Sequence, residues 1–300
     1  MEEQNLPFEQ EVKKLITSLE QEFAEHNIRF IFVVATGSRL NQAYHENSNL
    51  NIRGFYVGNK DSYLSVMRPP KEIKINKDIK KQNQDSFYID YEFMDIKRFL
   101  FGLSQPDKQV HDSNVWFYSN IVYVNQIEPQ IFEQIKCKLS FPQTSIIGRL
   151  IQYSKVFPNL DELNVKEVYY SLISTIQAYF YIVNGKQKLL FPDNNLYKVL
   201  SNIKTNFKEE EKLATTLENL LKKYTNLKQQ QVKTANKETD ENFFIEYLKQ
   251  IVDKNKPLQK KQAELIEKDL KPQIEVSECN DLFKKIFQRH DQYKLISSSY

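Results

Sequence analysis

The side chains best placed to do chemistry fall between residues 30 and 92. The apolar run Phe30 to Ala35 ends in Thr36-Gly37-Ser38, and after ten more residues, 39–48, the chain alternates as Asn49-Leu50-Asn51-Ile52. A Gly-Ser turn at a strand end lets backbone N–H groups and a hydroxyl approach phosphate oxygens closely. Residues two apart on a strand share a face, so Asn49 and Asn51 point the same way. Asp90 and Glu92, again two apart, add carboxylates from a later strand-like stretch. Arg39 and Arg53 flank the set. A planar guanidinium suits a phosphate or a partner carboxylate.

Elements that would position these residues can be read on either side. Phe8, Val12, Leu15, Ile16, Leu19 and Phe23 recur at three- and four-residue steps, predicting an amphipathic helix from Pro7 to Glu25. Arg29–Ala35 reads as a buried strand and Asn49–Val57 as a strand with one wet face, with Gly58–Asp61 as its turn. Ser86–Phe93 is a third strand and Ile96–Leu103 a helix stopped by Gln105-Pro106. Trp116–Val124 is again strand-like. The order helix, strand, strand, strand, helix, strand is an α/β (α+β) plan.

Beyond Pro129 the pattern becomes helical. Ile146–Val156, Lys166–Asn184, Asn194–Asn206, Glu209–Tyr224, Glu241–Asn255, Gln259–Leu270 and Asp281–Tyr293 all carry the helical period, with a polar linker over 227–240. The expected organisation is an α/β domain over 1–128, a helical domain over 129–226 and a charged helical C-terminal arm over 227–300.

Composition narrows the function classes. With 42 basic and 39 acidic residues the chain is neither a polycation nor an acidic solvating protein. Its six glycines are never gathered behind a strand as a P-loop or dinucleotide fingerprint requires. Cys137 and Cys279 lie too far apart in sequence for a zinc motif, and read as free thiols of a reducing compartment. His26, His45, His111 and His290 have no Cys or Asp at nucleophile or metal spacing. The longest apolar runs are far too short for a membrane span, and the acidic Met-Glu-Glu-Gln start is unlike a targeting signal, so a nuclear or cytoplasmic protein with no membrane partner is expected.

The strand, Gly37-Ser38, a ten-residue gap and the alternation at Asn49 to Ile52 together resemble the nucleotidyltransferase superfamily of the DNA-polymerase-β type. Within it, Asn47-Ser48-Asn49-Leu50-Asn51-Ile52-Arg53-Gly54 is similar to the Asp-Ser-Asp-x-Asp-x-Arg-Gly segment of the predicted nucleotidyltransferases of the YcgL/RlaP family. Asp90–Leu100 and Trp116–Tyr123 resemble that family's next two segments. Lys166–Lys186 echoes its downstream helix, with Ser174 where an arginine is usual. The resemblance implies a nucleotidyltransferase-like mixed sheet with flanking helices, followed by a helical domain. It also implies a site in which two Asp on one strand face hold two divalent metals beside a third carboxylate, where the metals stabilise displacement at an α-phosphate.

Here the family's Asp positions are Asn47, Asn49 and Asn51, and only Asp90 remains, with Glu92 beside it. Magnesium is held through anionic oxygens, and neutral amides remove that attraction. The expectation is therefore a catalytically inactive member with no metal and no cofactor, in which Asn49, Asn51 and Asp90 are degenerate catalytic positions. Gly37, Ser38, Arg39 and Arg53 would be vestigial phosphate-binding residues. Such a protein would serve as an accessory or scaffolding subunit of a nucleic-acid-modifying complex, for instance an adenine-N6 DNA methyltransferase complex. Lys71, Lys74, Lys77, Lys80 and Lys81 outnumber Glu72 and Asp78 in the polar segment after Pro70 and are the candidate DNA or RNA contacts. That segment also suits a solvated loop or, through Ile73, Ile75 and Ile79, an edge strand. The rival expectations are an active enzyme using Asp90, Glu92 and Glu46, and a sensor that binds NTP through Gly37 and Ser38 without turnover.

Overall fold

Helix α1 (Glu9–Glu22) forms where Val12, Leu15, Ile16 and Leu19 return to one face, and Val12 and Leu19 are buried. The computed structural model describes residues 8–37, 48–65, 68–80, 86–104, 115–139, 162–183, 196–250, 252–253 and 274–297. After a 3₁₀ turn at Ala24–His26, Asn27 takes the left-handed φ of 48° that asparagine tolerates, and the chain enters β1 (Arg29–Thr36). Strand β2 (Leu50–Val57) follows, then a short helix α2 (Lys60–Leu64) whose Asn59 cap accepts from the Ser62 N–H at 2.8 Å. Next come β3 (Glu72–Lys80), β4 (Ser86–Asp95) and α3 (Ile96–Leu103), and Asp95 caps α3 through the Lys97 N–H at 2.8 Å. A 3₁₀ turn at Val115–Tyr118 leads to β5 (Val122–Asn125) and α4 (Pro129–Lys138).

The five strands make one mixed sheet in the order β3-β4-β2-β1-β5. Only β2 and β4 run parallel; the other neighbours are antiparallel. Strand alternation divides the side chains between two apolar layers. Phe30, Val33, Leu50, Ile52, Tyr56, Ile89, Tyr91 and Phe93 join α1 on one face. Phe32, Val34, Phe55, Val57 and Met94 meet α3 and α4 on the other, together with Trp116 and Phe117. The β1–β2 register shifts between Phe30 and Phe32, which lets Ile31 and Phe32 both join the second layer. The expected mixed α/β class is the one observed.

A second unit is helical: α5 (Val165–Val183), α6 (Leu196–Asn206), α7 (Glu211–Gln229) and a helix α8 over 239–250 bury one core around Leu172, Ile176, Leu200, Leu217, Leu220 and Leu248. Its two-stranded ribbon pairs β6 (Glu162–Asn164) with β7 (Thr234–Asn236). The last helix, α9 (Val276–Ser297), belongs again to the first unit, where Cys279, Leu282 and Ile286 join the layer under α3 and α4. The segment 227–300 is thus shared between the two units.

Several elements differ from expectation. The stretch Trp116–Val124 is a 3₁₀ turn followed by a four-residue strand, because Trp116 and Phe117 both turn inward and stack near Phe55, which alternation forbids. Helix α4 was not read from the sequence, although Pro129 sits at its first turn. The segment after Pro70 is strand β3, as its isoleucines allow. The expected helices Ile146–Val156 and Gln259–Leu270 lie outside the described residues. Among the described residues no helix is long and apolar enough to cross a membrane.

Candidate functional site

Parallel pairing of β2 with β4 sets Asn51 beside Asp90 and Arg53 beside Glu92, and antiparallel pairing with β3 sets Glu92 beside Lys74. Arg53, Glu92 and Lys74 therefore form one row across three strands, with Asn51, Asp90 and Asn76 in the next. By alternation Asn51, Arg53, Lys74, Asp90 and Glu92 share the face of Phe55 and Met94, beyond the apolar layer that covers those two. The geometry collects Asn51, Arg53, Lys74, Asp90 and Glu92 in one patch.

Two glycines keep the backbone tight here. Gly37 has φ +69°, and a Cβ on it would lie 2.3 Å from Asn51 Nδ2, so the turn ending β1 presses against the Asn51 amide. A Cβ on Gly54 would lie 2.1 Å from the Phe32 carbonyl oxygen. The glycine after Arg53 thus permits close approach of β2 to β1.

The charges in the patch are paired internally. Arg53 Nη2 donates to Asp90 Oδ2 at 2.7 Å, while Nη1 donates to the carbonyls of Asp90 and Ile52, each at 2.9 Å. Arg53 Nε lies 3.7 Å from Glu92 Oε2. Lys74 Nζ bridges Glu92 Oε1 at 2.9 Å and Glu72 Oε2 at 3.1 Å, and Arg98 Nη1 reaches Glu72 Oε1 at 2.5 Å. The run Asp90, Arg53, Glu92, Lys74, Glu72, Arg98 alternates in sign and sums to zero. Hydrogen bonds that it donates to Glu92 and then Glu72 hold the Lys74 ammonium above its ordinary pKa.

The donors among the described residues do not fit a pair of divalent metals. Asn49 and Asn51 offer neutral amides, and the nearest carboxylate, Asp90, already accepts from a guanidinium. Among the described residues no group of three or more His, Cys, Asp or Glu side chains is placed to hold a metal ion. Asn49 is exposed just before β2, and Asn51 is half-buried.

Other candidates are more scattered. Ser38, Arg39, Glu46, Asn47, Lys81, His45 and His111 lie outside the described residues. Lys71 is exposed at the bend before β3; Lys77 and Lys80 follow on that strand. Strand β3 continues its pairing with β4 to Lys80↔Ser86, whereas β2 pairs with β4 only from Leu50↔Ile89. Lys80 therefore stands on a two-stranded extension of the sheet, and Lys77 at its base. His26 is buried in the first 3₁₀ turn, 3.3 Å from Glu25. Cys137 and Cys279 are free, and the buried Cys279 thiol, its pKa pushed up by burial, donates to the Leu100 carbonyl at 3.0 Å.

Three participants were not singled out by the sequence. Glu72 and Arg98 extend the ion-pair run; the signal was the period-two alternation Glu72-Ile73-Lys74, which marks one face of a strand. Asp95 is a buried carboxyl that caps α3 and accepts from the Tyr63 hydroxyl at 2.9 Å, and burial raises its pKa to about 6. Its place just before an apolar helix is an N-cap signature.

No protein-family model matches the chain. No curated protein sequence matches it either. Among solved structures it is similar to a nucleotidyltransferase-like protein from Exiguobacterium sibiricum, at 10% identity and a TM-score of 0.26, over 73% of this chain and 77% of that one. The likeness is slight in both sequence and shape.

Proposed function

We propose that this chain is a nucleotidyltransferase-like protein without nucleotidyl-transfer activity, acting as an accessory or scaffolding subunit of a nucleic-acid-modifying assembly. One observation carries the loss of activity. Where the resemblance calls for carboxylates, the chain has Asn49 just before β2 and Asn51 on it, and Asp90 is bound to Arg53 at 2.7 Å. A face so neutralised lacks the negative charge that gathers dications and positions a triphosphate. The sheet and its ordered face remain available as a platform.

The nucleic-acid part of the reading is supported by the lysines of β3. Lys74 is committed to Glu92 and Glu72, whereas Lys71 is exposed just before the strand, and Lys71, Lys77 and Lys80 are our candidates for phosphate contact. An adenine-N6 DNA methyltransferase complex is one assembly of this kind.

Gentle affinity purification of the tagged chain, with identification of co-eluting proteins, tests the subunit role; elution as a lone monomer overturns it. Incorporation of labelled nucleotide that Asp90→Ala abolishes would overturn the inactive reading. Metal-dependent, micromolar binding of Mg·ATP or Mg·GTP in calorimetry would replace the scaffold with a nucleotide sensor.

A further inference from the structure

We infer that Lys166, Lys228 and Lys233 form an oxyanion site on the helical unit, suited to a phosphate group, whether free phosphate or a phosphodiester of DNA. It goes beyond the reading above, in which the candidate phosphate contacts lie on and before β3. The three lysines come from three elements. Lys228 lies in the last turn of α7, half-buried, with Nζ 5.5 Å from the centroid of the buried Tyr169 ring. Lys166 stands in the first turn of α5, three residues before Tyr169, and residues so spaced on a helix are surface neighbours. Lys233 precedes β7, and its carbonyl accepts the Val165 N–H at 3.0 Å, which ties its backbone to the start of α5. The adjoining pair Asn164↔Thr234 of the ribbon fixes the same junction.

The charges here are arranged unlike those elsewhere on α7. Lys222 is paired with Glu218 at 2.6 Å, and Lys223 with Glu241 at 2.7 Å and Glu238 at 2.9 Å. Lys166 and Lys233 are exposed and form no ion pair among the described residues. At Lys228, burial and then the neighbouring Lys166 charge lower the pKa to about 8. Two ammonium groups that repel in a partly dry place are both favoured by an anion set between them. The local acids stand aside. Glu167 falls about 160° round α5 from Tyr169 by helical spacing. Glu162 pairs across the ribbon with Asn236, at the opposite end from Lys233. A phosphate offers oxygens in several directions, and lysines bind it as point charges. Basic residues also outnumber acidic ones in the helical unit, whereas the first unit is slightly acidic in balance.

Nuclear magnetic resonance of the full chain, ¹³C-labelled at lysine Cε, follows the titration of Lys228, assigned through its proximity to the Tyr169 ring. Without ligand, Lys166→Gln should move the midpoint upward, because a like charge is gone. With inorganic phosphate or a short DNA duplex added, the wild-type midpoint should rise by about one unit. A rise with phosphate alone supports the site as one for the free ion; a rise with the duplex supports a phosphodiester site. In the second case Lys166→Gln and Lys233→Gln should each lower the slope of log K against log salt by about one. No rise with either probe overturns the inference. So does a Lys166→Gln/Lys233→Gln double variant that binds the effective probe as tightly as wild type. Both of these lysines are exposed, and circular dichroism melts establish that the variants are folded; the wild-type titration decides by itself if they are not. Co-purification reads the subunit role separately, so either conclusion can fail alone.

Discussion

Along β2, Phe55 and Val57 face the same way as Asn51 and Arg53, yet the two pairs lie in different surroundings. Phe55 is wholly buried among Phe99, Trp116 and Phe117, with ring centroids 4.6, 5.0 and 5.2 Å away. Two residues earlier on the same face, Arg53 is surrounded by carboxylate and carbonyl oxygens. One half of the face is stabilised by excluding water, the other by cancelling charge. Apolar burial is non-directional and tolerates many arrangements, whereas charge cancellation needs each partner in register. The polar half should thus be specific in geometry and modest in energy. The apolar half should dominate stability.

Removing the aromatic centre is the largest expected effect. Phe55→Ala should cost about 3–5 kcal/mol, as for a large core aromatic, measured by urea unfolding. A loss below about 1 kcal/mol would show that this half does not carry the unit. In the polar half, Arg53→Ala should cost about 2–3 kcal/mol, because it strips donors from Asp90 and two carbonyls while solvent reaches part of the site. Asp90→Ala in the Arg53→Ala background should then add little, with a coupling of about 1–2 kcal/mol in the double-mutant cycle. Strict additivity would mean that the pair is not a unit.

Much of the fold was legible because it rests on period. The apolar steps of α1, the run of β1, the alternation of β2 and β4 and the helix Ile96–Leu103 were all read from spacing. Failures occurred where tertiary contact overrides period. Trp116 and Phe117 are adjacent and both buried, a pattern that a strand with one wet face would not give, so the 3₁₀ turn was missed. Strand β3 was hidden by its lysines, since a charged edge strand and a solvated loop share a composition. At the site, the residue types at 37, 49, 51, 53 and 90 were visible, but their pairing was not. The sequence marks Arg53 as a holder of a phosphate or a partner carboxylate, and only the β2–β4 register reveals that it reaches the carboxylate of Asp90. Return of α9 to the first unit was invisible, because nothing in a helix's own sequence says which core it joins.

Asp95 ends β4 just beyond Met94, and it links pH to stability. Its carboxyl is buried, is held by the Lys97 N–H and the Tyr63 hydroxyl, and titrates at about 6 in the folded chain, raised first of all by burial. An unfolded Asp titrates near 4, so the folded state binds the extra proton between these values. Stability from this group is therefore full below about pH 4 and lost as pH rises through about 6. Asp95→Asn keeps the capping oxygen and does not titrate. The difference in stability, wild type minus Asp95→Asn, should fall by on the order of 2–3 kcal/mol between about pH 4 and 7. Denaturant melts of both chains across that range check it, and a flat or rising difference would show that the two hydrogen bonds outweigh burial.

Lys74 should give the smallest effect and the sharpest test of how far the ion-pair run acts together. Its side chain is 52% exposed, against 16% for Arg53, although both touch Glu92. Its raised pKa keeps it charged throughout the neutral range, so protonation cannot explain a weak contribution. Screening and side-chain entropy can. Lys74→Ala should cost about 0.5–1 kcal/mol at low ionic strength and almost nothing in about 1 M salt, where exposed pairs are screened. Arg53→Ala should keep most of its cost in that salt, because its partners include two backbone carbonyls and little solvent. If Lys74→Ala instead matched Arg53→Ala, and both lost their effect together in salt, the six charges would behave as one network. The dividing line on this face would then run between ionic and apolar halves alone, with no distinction between a shielded arginine and an exposed lysine.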